Sequence, residues 1–154
     1  MAQIPNPRKQ FKFSIEIVGI PMSPYLAQNV EHPEVDVEPV PHGDINYEVK
    51  TAGMVRVGNA TITKLMTTSG PDNFMFNWKT LCQDELLGGG TVPDIYKREV
   101  IVTEFAEDGV TILNRHIWHG CWPTKIQGQT NDRTVSENTM ETVELSVDFV
   151  NKTA

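Results

Sequence analysis

Phe11-Lys12-Phe13-Ser14-Ile15-Glu16-Ile17 sets an apolar side chain at every second position, with Lys12, Ser14 and Glu16 between them. Period two belongs to a strand, whose successive side chains point to opposite faces, so this stretch predicts a strand with one buried face. The far end of the chain repeats the pattern: Val143, Leu145, Val147 and Phe149 alternate with Glu144, Ser146 and Asp148. That predicts a second strand running almost to the C-terminus. Between the two, Val35 and Val37 alternate with Asp36 and Glu38, and Ile45, Tyr47 and Val49 with Asp44, Asn46 and Glu48. The acids then lie on wet faces. Pro39-Val40-Pro41-His42-Gly43 carries two prolines and a glycine and predicts a turn. Residues 55–66 are rich in β-branched side chains, with a break at Gly58-Asn59. Residues 98–105 and 110–119 flank Ala106-Glu107-Asp108-Gly109, whose Asp-Gly suits a hairpin connection. Residues 124–129 extend the series after Trp122-Pro123, and Asn131-Asp132-Arg133 makes a polar break. Seven or eight strands are expected.

One segment has another period. In residues 72–87, Phe74, Trp78, Leu81, Cys82 and Glu85 recur at spacings of three and four, predicting an amphipathic helix of about four turns. Ser69 or Asp72 is placed to cap it, Pro71 suits its start, and Gly88-Gly89-Gly90 would stop it. Phe74, Trp78 and Leu81 form the face expected to pack on the strands. The plan is therefore mainly β: a small antiparallel β-barrel or sandwich with one flanking α-helix, in a single domain over residues 1–154. Residues 1–10, with Pro5 and Pro7, offer neither a helix nor a core face. They read as an arm that orders against a neighbour.

Composition bounds the function. The 154 residues are 39% hydrophobic and 21% charged, which fits one folded domain and excludes a disordered or collagen-like chain. No apolar run approaches the roughly 18 residues of a membrane span, and residues 1–10 have no signal-peptide pattern, so no membrane insertion is expected. Cys82 and Cys121 are too few for a disulfide framework or a four-cysteine zinc site, which suggests a reducing compartment. A formal charge of −7 repels nucleic-acid phosphates and argues against specific DNA binding.

The residues for chemistry are sparse. His116, His119 and Cys121 lie close in sequence, but strand alternation puts 116 and 119 on opposite faces, leaving only His119 and Cys121 together. Two ligands do not close a zinc site. Cys121, between Trp118 and Trp122, reads as a buried thiol and not a nucleophile. Gly88-Gly89-Gly90-Thr91 lacks the strand, lysine and helix of a phosphate loop. The pairs Asp36/Glu38 and Asp84/Glu85 lack the apolar surround that tunes carboxylates for acid–base work. Neither an enzyme nor a bound metal or cofactor is expected.

Several segments in order resemble the tail tube proteins of contractile phages and, more distantly, the tube subunits of contractile injection systems and type VI secretion. The first is Phe11-Lys12-Phe13-Ser14-Ile15-Glu16-Ile17-Val18-Gly19-Ile20. Gly53-Met54-Val55-Arg56-Val57-Gly58-Asn59-Ala60-Thr61-Ile62-Thr63-Lys64 is the second, followed by a helix with a central Trp78. Gly120-Cys121-Trp122-Pro123-Thr124-Lys125-Ile126 and Met140-Glu141-Thr142-Val143-Glu144-Leu145 complete the set. The similarity covers residues 11–150. The chain departs from the pattern at Gly88 to Gly90, at Thr91-Val92-Pro93-Asp94 and at Ile126.

The resemblance implies a structural protein: two roughly orthogonal sheets per subunit, six subunits in a ring, and rings stacked into a tube. It implies sheath, baseplate and tail terminator proteins as partners, with genomic DNA (or an effector) passing through the channel without specific binding. The expected place is the virion tail, assembled in the host bacterial cytoplasm. By the same resemblance a hairpin over residues 40–53 reaches the adjacent ring, so Val40, Pro41, His42, Gly43, Thr51, Ala52 and Gly53 are stacking candidates. Asp36, Glu38, Asp44 and Glu48 are candidates for a negative channel wall, which would keep DNA sliding and not sticking.

Overall fold

The computed structural model describes residues 7–43, 46–66, 73–128 and 130–153. Along these run β1 (Phe13–Ile17), β2 (Ala27–Glu31), β3 (Val35–Gly43), β4 (Glu48–Val57), β5 (Ala60–Leu65), α1 (Phe74–Cys82), α2 (Pro93–Tyr96), β6 (Arg98–Phe105), β7 (Ile112–Ile126), β8 (Met140–Ser146) and β9 (Phe149–Thr153). The fold is mainly β and antiparallel, as expected.

The longest strand, β7, belongs to two leaves at once. Its first half pairs β6 on one side and β9 on the other, with β1 beyond β6. Its second half pairs β8, followed by β5 and β2. Ile15, Ile17, Val100, Val102 and Trp118 from the first leaf meet Ala60, Ile62, Val143 and Leu145 from the second in one core. The result is a sandwich whose sheet path ends at β1 and β2 without closing into a barrel. A strand that changes leaf must bend, and β7 bends at Gly120, where φ is +66° and the β6 register slips.

That bend overturns three readings from the sequence. The strands read separately at 110–119 and 124–129 are one strand through Trp122-Pro123, with a second bulge beside Pro123. The single strand read over 143–149 is two: Val143 and Leu145 sit in β8, and the chain crosses between leaves at Val147-Asp148, so Phe149 begins β9 and is exposed. Across the bulge His119 and Cys121 part company. Cys121 lies in the core, while His119 faces outward to Glu99 at 3.1 Å and stacks on Phe149. Phe11 likewise lies outside β1 and is 75% exposed.

The helix is shorter than its pattern. α1 ends at Cys82 and not at residue 87, because Gln83 is extended and Asp84 turns the chain by accepting the Leu86 and Leu87 amides. Met75 and Trp78 are buried, Phe74 is half-buried against the core, and Leu81 is 36% exposed. The Trp78 Nε1–H donates to the Tyr96 carbonyl at 2.6 Å, tying α1 to α2. The expected caps Ser69 and Asp72, with Pro71, lie outside the described residues, as do Met1 to Asn6 of the arm. No helix among the described residues is long and apolar enough to cross a membrane.

Candidate assembly surface

β3 and β4 form a two-stranded sheet of their own. Nine residues of β3 at roughly 3.4 Å each make a ribbon of about 30 Å. Its root is closed by the Gly58 amide on the Glu34 carbonyl at 2.8 Å. Every residue of β3 is exposed, and in β4 only Gly53 and Val57 are partly covered. An isolated two-stranded hairpin is marginal in water, so this ribbon is an element that gains stability from cover.

The prolines do not end β3, contrary to the turn expected at 39–43. Pro39 pairs with Ala52 and Pro41 with Lys50. Two residues apart, both prolines turn their missing N–H to the same side of the strand, the outer edge that bonds nothing in a ribbon. Thr51, Ala52 and Gly53 are the middle of β4. Gly53 sits at a bulge where the register slips, and a Cβ on it would lie 2.7 Å from both the Glu38 carbonyl oxygen and Val40 Cγ2.

Cross-strand partners share a face, so the register sorts the side chains. Asp36 (opposite Arg56), Glu38, Val40 (opposite Thr51) and His42 (opposite Val49) share one face. On it Arg56 reaches Glu38 at 3.3 Å, and His42 Nε2 lies 3.1 Å from the Thr51 hydroxyl. The other face carries Val35, Val37, Pro39 and Pro41 with Val55, Val57, Ala52, Lys50 and Glu48. Toward its root the ribbon is thus amphipathic, with a charged face and a valine–proline face. Val35, Val37 and Val55 are each at least half exposed there.

The described candidate acids therefore fall on both faces of the ribbon. Asp36 and Glu38 stand together, Glu48 points to the opposite face beside Gly43, and Asp44 lies outside the described residues. The stacking candidates Val40, Pro41, His42 and Gly43 do lie together on the outer ribbon with Thr51, Ala52 and Gly53. The apolar face itself was invisible to a reading that broke β3 at Pro39.

Among the described residues the sandwich also keeps partly open borders, the outer edge of β1 giving the Ile15 amide to the Pro24 carbonyl at 3.0 Å. β1 and β2 end the sheet path, and between them lies a cavity of about 780 Å³ bordered by Phe13, Tyr25, Ala27 and Val30. β9 pairs only β7. Unpaired strand edges are templates for another chain. The interior offers no reactive thiol: burial pushes Cys121 up to about 12 and also raises Cys82.

Residues 9–151 match the family described as T4-like virus tail tube protein gp19. The tail tube protein gp19 of Enterobacteria phage T4 is 27% identical over 134 residues, covering 80% of each chain. Among solved structures, a chain of the anti-feeding prophage tube-terminating cap superposes with a TM-score of 0.79 at 16% identity, covering 99% of this chain and 95% of that one. A chain of the sheath–tube complex of an extracellular contractile injection system does so with 0.75 at 16% identity, covering 96% and 92%.

Proposed function

Because the chain belongs to the T4-like virus tail tube protein family, we propose that it works as the repeating subunit of a tube, six copies to a ring and rings stacked end on end. The family is structural, and the chemistry of the described residues suits that. The observation that carries the reading is the β3–β4 ribbon, about 30 Å of strand pair projecting with one apolar face uncovered. Each half-exposed valine brought under cover contributes on the order of 1 kcal/mol, repeated at every subunit contact. The open borders at β1, β2 and β9 supply the edges for ring closure, which removes the aggregation hazard of a free edge.

In this reading the valine–proline face packs on a neighbouring copy, while the outer part of the ribbon, residues 40–43 with Thr51, Ala52 and Gly53, reaches the adjacent ring. The polar face with Asp36 and Glu38 turns to the channel, where fixed negative charge keeps DNA from adhering. Sheath, baseplate and terminator proteins are the partners, and the tail of a virion is the place. A contractile injection system would use the same tube without a genome.

Electron micrographs of the purified full-length chain at rising concentration test the assembly. Sixfold rings or open-ended tubes are expected; a species that stays monomeric at high concentration would overturn the reading. Tubes recovered from particles with DNA-filled heads separate the phage from an injection machine.

A further inference from the structure

The core face of the first leaf changes character at its open end. On β6 the inward positions run Val100, Val102, Glu104, and opposite them on β7 run Trp118, His116 and Asn114. Val100, Val102 and Trp118 are fully buried apolar residues, so Glu104 and His116 continue a hydrophobic row with donor atoms. Placing an acid and an imidazole on a core face is costly unless they pair or bind something. His32, from the segment joining β2 to β3, leans over both. Its ring centroid is 4.6 Å from that of His116 and meets Trp118 edge-on at 5.4 Å.

We infer that His32, Glu104 and His116 bind a divalent transition-metal ion, with zinc the best match. One donor atom from each residue lies within 4.8 Å of the other two, the one such group among the described residues. His116 Nε2 is already 2.7 Å from Glu104 Oε1, and small side-chain rotations bring three donors to the spacing of a tetrahedral ion. Arg8 holds the other carboxylate oxygen, Oε2, at 3.1 Å. That is an outer-shell partner of the kind that orients a ligating carboxylate. Two imidazoles and a carboxylate suit zinc better than magnesium or calcium, and three protein ligands leave a fourth position for water from the bordering cavity, which Arg8, His32 and Glu104 also line.

The ion would act as a tie. Glu104 and His116 belong to the sandwich, whereas His32 lies three residues before β3, at the root of the ribbon. Binding joins the two and fixes the angle at which the ribbon leaves the body, the quantity that a stacked assembly must hold constant.

The test uses the untagged full-length chain after chelation, titrated with zinc chloride by calorimetry and with cobalt chloride by visible absorption. The chain has four histidines. Wild-type protein should take one zinc per chain, develop the absorption of low-coordinate cobalt and melt at a higher temperature with zinc than with chelator. His32→Gln and His116→Gln should each weaken binding at least tenfold or so. His32 is exposed, so His32→Gln retains the fold, checked by an unchanged circular dichroism spectrum. His42→Gln combined with His119→Gln should bind like wild type. Absence of saturable one-to-one binding by wild type, or affinity unchanged in both His32→Gln and His116→Gln, overturns the proposal.

Discussion

The Cα of Gly120 faces the carboxylate of Asp148 so closely that a side chain at position 120 would occupy the same space. Both residues lie where the chain changes leaf: Gly120 at the bend of β7, Asp148 between β8 and β9. The Asp148 amide donates to the His119 carbonyl at 2.9 Å, and its carboxylate receives Lys97 Nζ at 2.8 Å. One corner therefore fixes the relation of the two leaves. Gly120→Ala should cost about 2 kcal/mol or more, from left-handed backbone strain plus the clash. Adding Asp148→Ala should recover only the carboxylate's share of the clash, because the Cβ at 148 remains 2.9 Å from the new one. Urea midpoints of the two variants measure this; a Gly120→Ala protein as stable as wild type would contradict it.

The helix face gives a second contrast. Trp78 is 1% exposed and its indole N–H is committed to Tyr96, whereas Leu81 is 36% exposed. Trp78→Ala should cost about 3–5 kcal/mol and Leu81→Ala well under half of that. Equal losses in thermal unfolding would put Leu81 back in the core face that its spacing suggests.

The β6–β7 turn carries a pH-dependent term. The Thr111 hydroxyl, with the Thr111 and Val110 amides, donates to Asp108 and holds its carboxyl at about 2, below the ordinary 3.8. Stabilisation from a depressed carboxylate is fully present above the unfolded value and is lost as pH falls through the folded one. Asp108→Ala should thus be less stable than wild type at neutral pH, with the gap closing between pH 3.8 and about 2. A gap that stays constant across that window would remove the carboxylate from the turn's energetics.

Charge reversal separates the two ribbon faces. Lysine at both Asp36 and Glu38 should leave tubes intact and slow DNA release, because the polar face turns from repelling phosphate to holding it. Lysine at Glu48, on the opposite face, should leave release unchanged. Release unaffected by the first change would place Asp36 and Glu38 away from the channel.

Much of this was legible in the sequence, for reasons specific to each element. β1 and β8 alternate cleanly because one face of each meets the core, so period two survives as a pattern. β2 left no such trace: Ala27 is buried and Val30 packs against the core three residues later, because the register slips between Ala27 and Asn29, and that bulge breaks period two. β3 was cut short because proline is a poor strand residue in a sheet interior, yet a ribbon's outer edge asks for no donor there. The helix end was misplaced by a side-chain turn at Asp84, a local hydrogen bond that outweighs periodicity. Bulges cost most. Gly120 and Gly53 each shift the phase of their strand by one, which moved Cys121 into the core away from His119 and set Glu48 opposite Glu38. Glu104 and His116 went unpaired in the sequence because cross-strand register and the reach of His32 exist only in three dimensions.

In the proposed tube the uncovered valine–proline face of the ribbon is a contact between copies. A reconstruction of the assembled particle by electron cryomicroscopy, at a resolution that shows side chains, measures this directly. Sixfold rings in which Val35, Val37 and Val55 are buried against a neighbouring chain are the predicted result. Rings in which that face still meets solvent, or particles in which the ribbon touches no other copy, would contradict it.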